Sequence, residues 1–399
     1  MSLNNTASAE RVHITFFGKR NAGKSSLVNA VTGQSLSVVS DVKGTTTDPV
    51  KKAMELLPIG PVLIIDTPGF DDEGNLGELR VEKTREILKK TDIAILVTDS
   101  LKKLDEKETE FLKLIKDKNL PYVIAYNKAD LLNEIPSASK QTMWVSATEG
   151  TNINKLKEMI GTLAKQIENP RQLVGDLLQK NDTVVLVTPI DESAPKGRII
   201  LPQQQTIRDI LDTDCVAVVC QAEQLDTTLK NLSAPPKMVI TDSQAFGKVS
   251  KLVPDEIPLT SFSILFARYK GDLAEQVKGA AMLSKLTDGD RILISEGCTH
   301  HRQCGDIGTI KLPGWIKDFC GADIDFDFTS GGEFPKDLSQ YKLVVHCGGC
   351  MLNEAEMKHR ITTAIDAGVP IVNYGVAIAH INGILKRSLE LFPDVSKLL

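Results

Sequence analysis

The chain has 399 residues, 42% of them hydrophobic and 25% charged, with a formal net charge of -5 at neutral pH. That length exceeds one ordinary core and suits two or three domains, and no apolar run is long enough to cross a bilayer. The acidic balance argues against a general phosphate-coating surface, so neither nucleic acid nor a membrane is the expected partner. Seven cysteines, odd in number and unevenly spread, suit a reducing compartment better than a disulfide framework, and a cytoplasmic location is expected.

Residues 1–10 read as a flexible tail, and the start MSLNNTASAERVHITFFG lacks the basic and apolar segments of a secretory signal. Over residues 11–169, strand-like runs (VHITFFG, VLIIDTPG, IAILVTDS, YVIAYNK, TMWVSA) alternate with helical ones (GKSSLVNAVTG, LGELRVEKTREILKK, DEKETEFLKLIKD, INKLKEMIGTLAKQI). Such alternation predicts an α/β fold: a parallel sheet with helices on both faces. Asn169-Pro170 marks a domain exit. Residues 170–257 alternate again in shorter runs without a catalytic motif and predict a small α/β middle domain. From Pro258 a third α/β domain with a parallel sheet is expected to 399, its strands read from SFSILFARY, RILISEGC, DIDFDFTS, KLVVHCGGC and PIVNYGVA.

The first chemistry-bearing stretch, GKRNAGKSS, follows a strand and opens a helix. Gly18 and Gly23 let backbone N–H groups wrap phosphates, with Asn21, Ala22, Lys24, Ser25 and Ser26 completing the loop. Lys24 offsets phosphate charge, Ser25 can ligate magnesium, and the helix N-terminus adds its partial positive charge. DTPG ends the next apolar strand, where Asp66 can hold magnesium through water and Gly69 can donate its N–H to a terminal phosphate. NKAD places Asn127, Lys128 and Asp130 at another strand end. A carboxylate there accepts both N–H groups on the guanine edge, which adenine does not offer, so the ligand is read as GTP or GDP with Mg2+. Ser146 and Ala147, in SAT, would line the base.

This ordered set resembles translation-factor-like GTPases, closest to their TrmE/Era branch, over the first third of the chain. The resemblance implies GTP hydrolysis and makes Thr46, in the first-switch stretch DVKGTTTDP, the magnesium ligand of the GTP state, with Thr45 and Thr47 as alternatives. Lys24, Thr46, Asp66 and Gly69 would carry the catalysis. Phe70 stands where many small GTPases place a water-orienting glutamine, so intrinsic hydrolysis is expected to be slow. The branch compensates with K+ held partly by a phosphate-loop asparagine, a place that Asn21 takes here. Lys19-Arg20 departs from the branch's usual Arg-Pro.

In the third domain, Cys347 and Cys350 share a Cys-x-x-Cys spacing that serves zinc, iron–sulfur clusters and redox dithiols alike. Cys298, two residues before His300, ends another strand. Loops at the carboxyl ends of parallel strands meet in one crevice, so three thiolates can converge. Three cysteines suit a [4Fe-4S] cluster with one exchangeable iron position; His300 and His346 are candidates for the fourth ligand or for supporting donors. Gly348 and Gly349 permit close backbone approach, and a helix beginning near Met351 would aim its positive end at the cluster. A zinc ion on three cysteines and a histidine is the main alternative. Cys215 and Cys220 read as core residues on opposite strand faces, Cys320 as helix-end packing, and Cys304 as an unligated loop thiol with an auxiliary ligand role as alternative. His301, His359 and His380 read as surface or core residues.

The pattern Cys-x-His, 45 residues, His-Cys-x-x-Cys, joined to a TrmE-like GTPase, resembles the HydF family of [FeFe]-hydrogenase maturation GTPases over the whole chain. That resemblance implies a GTPase domain, a dimerisation domain over 170–257, and a cluster domain over 258–399 with Cys298, Cys347 and Cys350 as ligands. It also implies a homodimer that receives a di-iron subcluster precursor made with the radical-SAM proteins HydE and HydG and delivers it to apo-[FeFe]-hydrogenase. The reading from a different class is a ribosome- or tRNA-associated GTPase with a structural zinc module.

Overall fold

The computed structural model describes residues 11–33, 49–56, 60–70, 84–167, 172–189, 199–297, 307–349 and 352–399. The chain divides into two compact units, Met1–Asn169 and Pro170–Leu399.

In the first unit, β1 (Val12–Gly18), β2 (Val50–Leu56), β3 (Gly60–Asp66), β4 (Ile93–Asp99), β5 (Tyr122–Asn127) and β6 (Thr142–Trp144) form a sheet of order β2-β3-β1-β4-β5-β6. All neighbours pair in parallel except β2, which runs antiparallel to β3 at one edge. Alternate residues of each strand feed opposite faces, as a period of two requires. Ile14, Phe16, Ile93, Ile95 and Val97 face Leu27 and Val31 of α1 (Lys24–Thr32) and Leu156 and Ile160 of α3 (Ile153–Ile167). Phe17, Ala94 and Leu96 face Phe111 and Ile115 of α2 (Glu106–Asp117). Asp105 starts α2 with a capping box, accepting from Glu108 N–H while the Glu108 carboxylate accepts from Asp105 N–H.

Among its described residues, the second unit holds two parallel four-stranded sheets. One has the order β10-β9-β7-β8, from β7 (Thr183–Val187), β8 (Val216–Cys220), β9 (Met238–Thr241) and β10 (Leu259–Ser261), with α4 (Leu201–Asp212) and α5 (Leu225–Asn231) on its two faces. Cys215 and Cys220 are buried in the two different cores of this sheet, in keeping with opposite faces. The expected break between residues 257 and 258 falls just before β10, which completes this sheet. SFSILFARY is not a strand: Phe262–Lys270 is a helix, α6, with the Ser261 side chain accepting from Ile264 N–H at its start. Its apolar residues divide between two cores, Phe262, Leu265 and Phe266 in one and Ile264 and Ala267 in another, so it is apolar nearly all round and shows no amphipathic stripe.

The other sheet has the order β12-β11-β13-β14, from β11 (Arg291–Glu296), β12 (Asp325–Ser330), β13 (Leu343–His346) and β14 (Ile371–Asn373). Ile292, Ile294, Leu343 and Val345 pack toward α7 (Leu273–Met282), α8 (Leu312–Cys320) and α10 (Tyr374–Ile381), whereas Leu293 and Val344 pack against Met357 and Ile361 of α9 (Glu354–Asp366). The helix expected near Met351 begins at Glu354, because Asn353 caps it by accepting from Glu356 N–H. No helix among the described residues is long and apolar enough to cross a membrane.

Candidate functional site

At the carboxyl edge of the first sheet, β1 runs into the phosphate loop, whose backbone takes left-handed values at Asn21 (φ 61°) and Gly23 (φ 81°). Gly23 is required for contact as well as conformation, since a Cβ there would lie 2.2 Å from Asn127 Nδ2. Lys24 is buried at 8% exposure and its ammonium donates to Lys19 O at 2.7 Å, curling over the loop where phosphates would sit. Lys19 in turn pairs with Asp105 at the start of α2.

Ser25 Oγ donates to Asp66 Oδ2 at 2.7 Å, joining the start of α1 to the end of β3. Asp66 is 1% exposed, and its Oδ1 has no hydrogen-bond partner among the described residues. A buried carboxylate oxygen without a donor is costly unless a cation or water completes it, so the Ser25–Asp66 pair fits Mg2+. Thr67 secures the same turn, its hydroxyl donating to Phe16 O at 2.8 Å. Gly69 follows at the half-buried end of the motif, and Phe70 is stacked on Phe111 with centroids 4.8 Å apart. Position 70 therefore belongs to the core and offers no group to orient water.

Asn127 does more than its motif suggests. Its Nδ2 donates to Ala22 O (3.1 Å) and Gly23 O (3.4 Å), and its Oδ1 accepts from Ala147 N–H (3.1 Å). One buried amide thus ties the phosphate loop to the base loop. Lys128 is left-handed (φ 66°) and its ammonium lies 2.7 Å from Asp99 Oδ2. Burial alone would raise the Asp99 carboxyl, but the Lys128 hydrogen bond, the Leu101 N–H and the nearby positive charges hold it below its ordinary value. Asp130 is exposed on a single 3-10 turn, Ala129–Leu131, and so is free of competing burial when a base edge arrives. Buried Ser146 accepts from Glu149 N–H at 3.0 Å, shaping the loop after β6. The structure thus brings together Gly18, Asn21, Ala22, Gly23, Lys24, Ser25, Ser26, Asp66, Gly69, Asn127, Lys128, Asp130, Ser146 and Ala147 at one sheet edge. Thr45, Thr46 and Thr47 lie outside the described residues.

In the second unit, β11 and β13 are adjacent and parallel, so Gly297 and Cys347 leave the sheet side by side. Cys347 Sγ accepts from Gly297 N–H at 3.0 Å and from Gly349 N–H at 3.4 Å. Two backbone donors on one sulfur favour the thiolate and suit a metal ligand. Gly349 is left-handed (φ 62°), and a Cβ there would press on Met357. His346 is fully buried behind Cys347, with Nδ1 2.6 Å from Cys347 O and Nε2 3.0 Å from Arg360 Nη1. Cys298, His300, His301, Cys304 and Cys350 lie outside the described residues, among which no group of three or more His, Cys, Asp and Glu side chains is placed to hold a metal. The donors around Cys347 nevertheless fit one corner of an anionic cluster. Elsewhere, His380 bonds Ser284 Oγ at 3.0 Å and packs edge-on to Phe319, and burial lowers its pKa.

Arg360 was not legible as a site residue. The available signal is its position in the apolar stripe Met357, Ile361 and Ala364 of α9, four residues after Glu356. A charge in a buried stripe needs a partner, and here it has several.

The geometry of the first unit defines a P-loop GTPase domain, and residues 13–128 match a family model described as 50S ribosome-binding GTPase. Residues 173–271 match the hydrogen maturase F dimerization domain and residues 274–391 the hydrogen maturase F tetramerization domain, together more than half of the chain. The chain belongs to the hydrogen maturase F family. It is 32% identical over 214 residues to the tRNA modification GTPase MnmE of Acetivibrio thermocellus, covering 51% of this chain and 46% of that protein. GTPase Der of Kosmotoga olearia is 27% identical over 216 residues, covering 49% and 48%. The chain spans less than half the length of these curated relatives. A crystal structure of an Era variant from Aquifex aeolicus bound to GDP.AlF4- gives a TM-score of 0.35 at 18% identity, covering 52% of this chain and 91% of that one.

Proposed function

We propose that this chain is a GTP-hydrolysing scaffold of [FeFe]-hydrogenase maturation, working in the cytoplasm as a homo-oligomer. It binds a [4Fe-4S] cluster through Cys298, Cys347 and Cys350, accepts the di-iron precursor made with HydE and HydG, and delivers it to apo-[FeFe]-hydrogenase. The observation that carries this reading is the match of residues 173–271 and 274–391 to the two hydrogen maturase F domains, in a chain whose Cys347 sulfur receives two backbone N–H groups. The same two matches leave the RNA-associated zinc protein unfavoured. Dimerization and tetramerization domains also support self-association.

In the GTPase domain, water attacks the γ-phosphorus as the bond to the β-phosphate oxygen breaks, yielding GDP and phosphate. Lys24 and the loop N–H groups would bear the growing charge, Ser25, Asp66 and Thr46 would hold Mg2+, and Gly69 N–H would contact the γ-phosphate. Phe70, committed to the core, cannot orient the attacking water; a K+ held beside Asn21 would instead add positive charge where negative charge grows on the phosphates. Asn21→Ala is accordingly expected to remove the stimulation of phosphate release by K+ over Na+ while leaving GDP affinity within a few-fold. Equal stimulation in both proteins speaks against a potassium site at Asn21.

The cluster would offer one iron position open to ligand exchange. The partition that goes with this reading is a tail at 1–10, the GTPase at 11–169, then a dimerisation and a cluster domain whose boundary, expected at 257/258, is moved beyond β10 to the junction of the two family matches at 173–271 and 274–391. Activation of apo-[FeFe]-hydrogenase by the full chain, loaded in the presence of HydE and HydG, tests the carrier role. Hydrogen evolution should depend on the loaded protein and fail with Cys350→Ala, whose GTP hydrolysis stays intact. Equal activation by that variant contradicts delivery from a cysteine-held site.

A further inference from the structure

Arg360 is 1% exposed, yet four of its five N–H donors are satisfied. Nη1 donates to Ser295 Oγ (3.2 Å) at the end of β11 and faces His346 Nε2 (3.0 Å) at the end of β13. Nη2 donates to Gly331 O (2.7 Å) after β12 and to Glu356 Oε1 (2.8 Å) on α9. The guanidinium also lies over the Phe334 ring, 5.2 Å from its centroid. One side chain therefore gathers the carboxyl ends of three adjacent strands next to the turn that begins at Cys347.

The chemistry of the contact sets a direction. A guanidinium only donates, so His346 Nε2 must present its lone pair to Arg360, and the ring proton then resides on Nδ1. That proton is donated to Cys347 O at 2.6 Å. Arg360 thus fixes the His346 tautomer, and His346 fixes the Cys347 carbonyl. The following peptides carry the Gly349 N–H that bonds the Cys347 sulfur. A second buried cation approaches the same loop, Lys270 donating to Leu352 O at 3.3 Å with 5% exposure. An aliphatic residue would fill the stripe of Met357 and Ile361 with no desolvation penalty, so packing alone does not account for an arginine.

We infer that Arg360 is a positioning residue for the iron–sulfur site: acting through His346 it orients the Cys347 ligand, and by balancing the buried Glu356 carboxylate it keeps that charge from opposing the reduced, more anionic cluster. This rests on the cluster reading above. His346 then serves as the relay between cation and ligand, with both ring nitrogens engaged, in the way that groups behind metal ligands tune orientation and affinity.

The test uses the full chain, reconstituted anaerobically with iron and sulfide as wild type, Arg360→Lys and Arg360→Gln. Iron retention against a chelator, the cluster's reduction potential and the melting temperature of each unloaded protein are recorded together. Arg360→Lys keeps the charge but loses the planar fork, so iron affinity should fall about 10- to 100-fold with little change in potential. Arg360→Gln should show the same loss and a shift to more negative potential. If the glutamine variant does not fold, the lysine variant carries the test. Wild-type iron retention in a folded lysine variant, or unchanged retention and potential in both, overturns the inference and leaves Arg360 as an ion pair of the fold. A wild type that takes up no cluster overturns instead the reading on which the inference rests.

Discussion

Asp66→Ala is expected to lower GTP hydrolysis about 100- to 1000-fold, the scale on which loss of one pre-organised charge-stabilising group is felt. The reason lies in two oxygens. Oδ2 is held by Ser25 Oγ at 2.7 Å, and Oδ1 is buried without a hydrogen-bond partner among the described residues. Alanine removes the carboxylate that would anchor Mg2+ and frees Ser25 from its orientation. The apoprotein itself should tolerate the change, since the substitution also removes a buried charge. Steady-state phosphate release at saturating Mg2+, beside thermal unfolding without nucleotide, separates the two effects. A rate near wild type assigns Asp66 to the fold alone.

Asp130→Asn is expected to weaken GTP binding on the order of 10³- to 10⁴-fold and to strengthen binding of xanthosine triphosphate, because a site built to accept two N–H groups strongly rejects a mismatched edge. Asn127 will not mask this result. Its amide holds Ala22 O, Gly23 O and Ala147 N–H, so it shapes the loops while Asp130 remains exposed on its turn. Replacing Asn127 would therefore affect all nucleotides, whereas replacing Asp130 should exchange one base for another. Competition binding with GTP, ATP and xanthosine triphosphate reads the difference. Loss of all three to the same degree contradicts a base-reading role.

Much of the first unit was legible in the sequence because each motif directly follows an apolar strand, and parallel strands send their following loops to one edge. The division of labour at Asn127 was not, since it depends on contacts with residues more than a hundred positions away in the chain. SFSILFARY misled as a strand because α6 is enclosed between two cores and carries apolar residues on nearly every side, erasing the period that distinguishes helix from strand. Around Cys347, spacing identified the thiol and the topology showed why it lies beside Gly297. Arg360 and Glu356 escaped because four-residue charge pairs are ordinary on exposed helices, and only the packing of α9 against Leu293 and Val344 reveals that this one is buried. The first-switch threonines and the cysteines at 298 and 350 lie outside the described residues, so their roles rest on the motif spacing and the family reading.

In the proposed reading, three thiolates of the second unit hold one cubane cluster. Anaerobic reconstitution with iron and sulfide, followed by iron analysis and the EPR spectrum of the dithionite-reduced protein, tests it beside Cys298→Ala and Cys350→Ala. The expected result is a [4Fe-4S]+ signal in the wild type that is lost from both variants while each still hydrolyses GTP. A wild type that takes up no cluster and retains zinc in its place contradicts it.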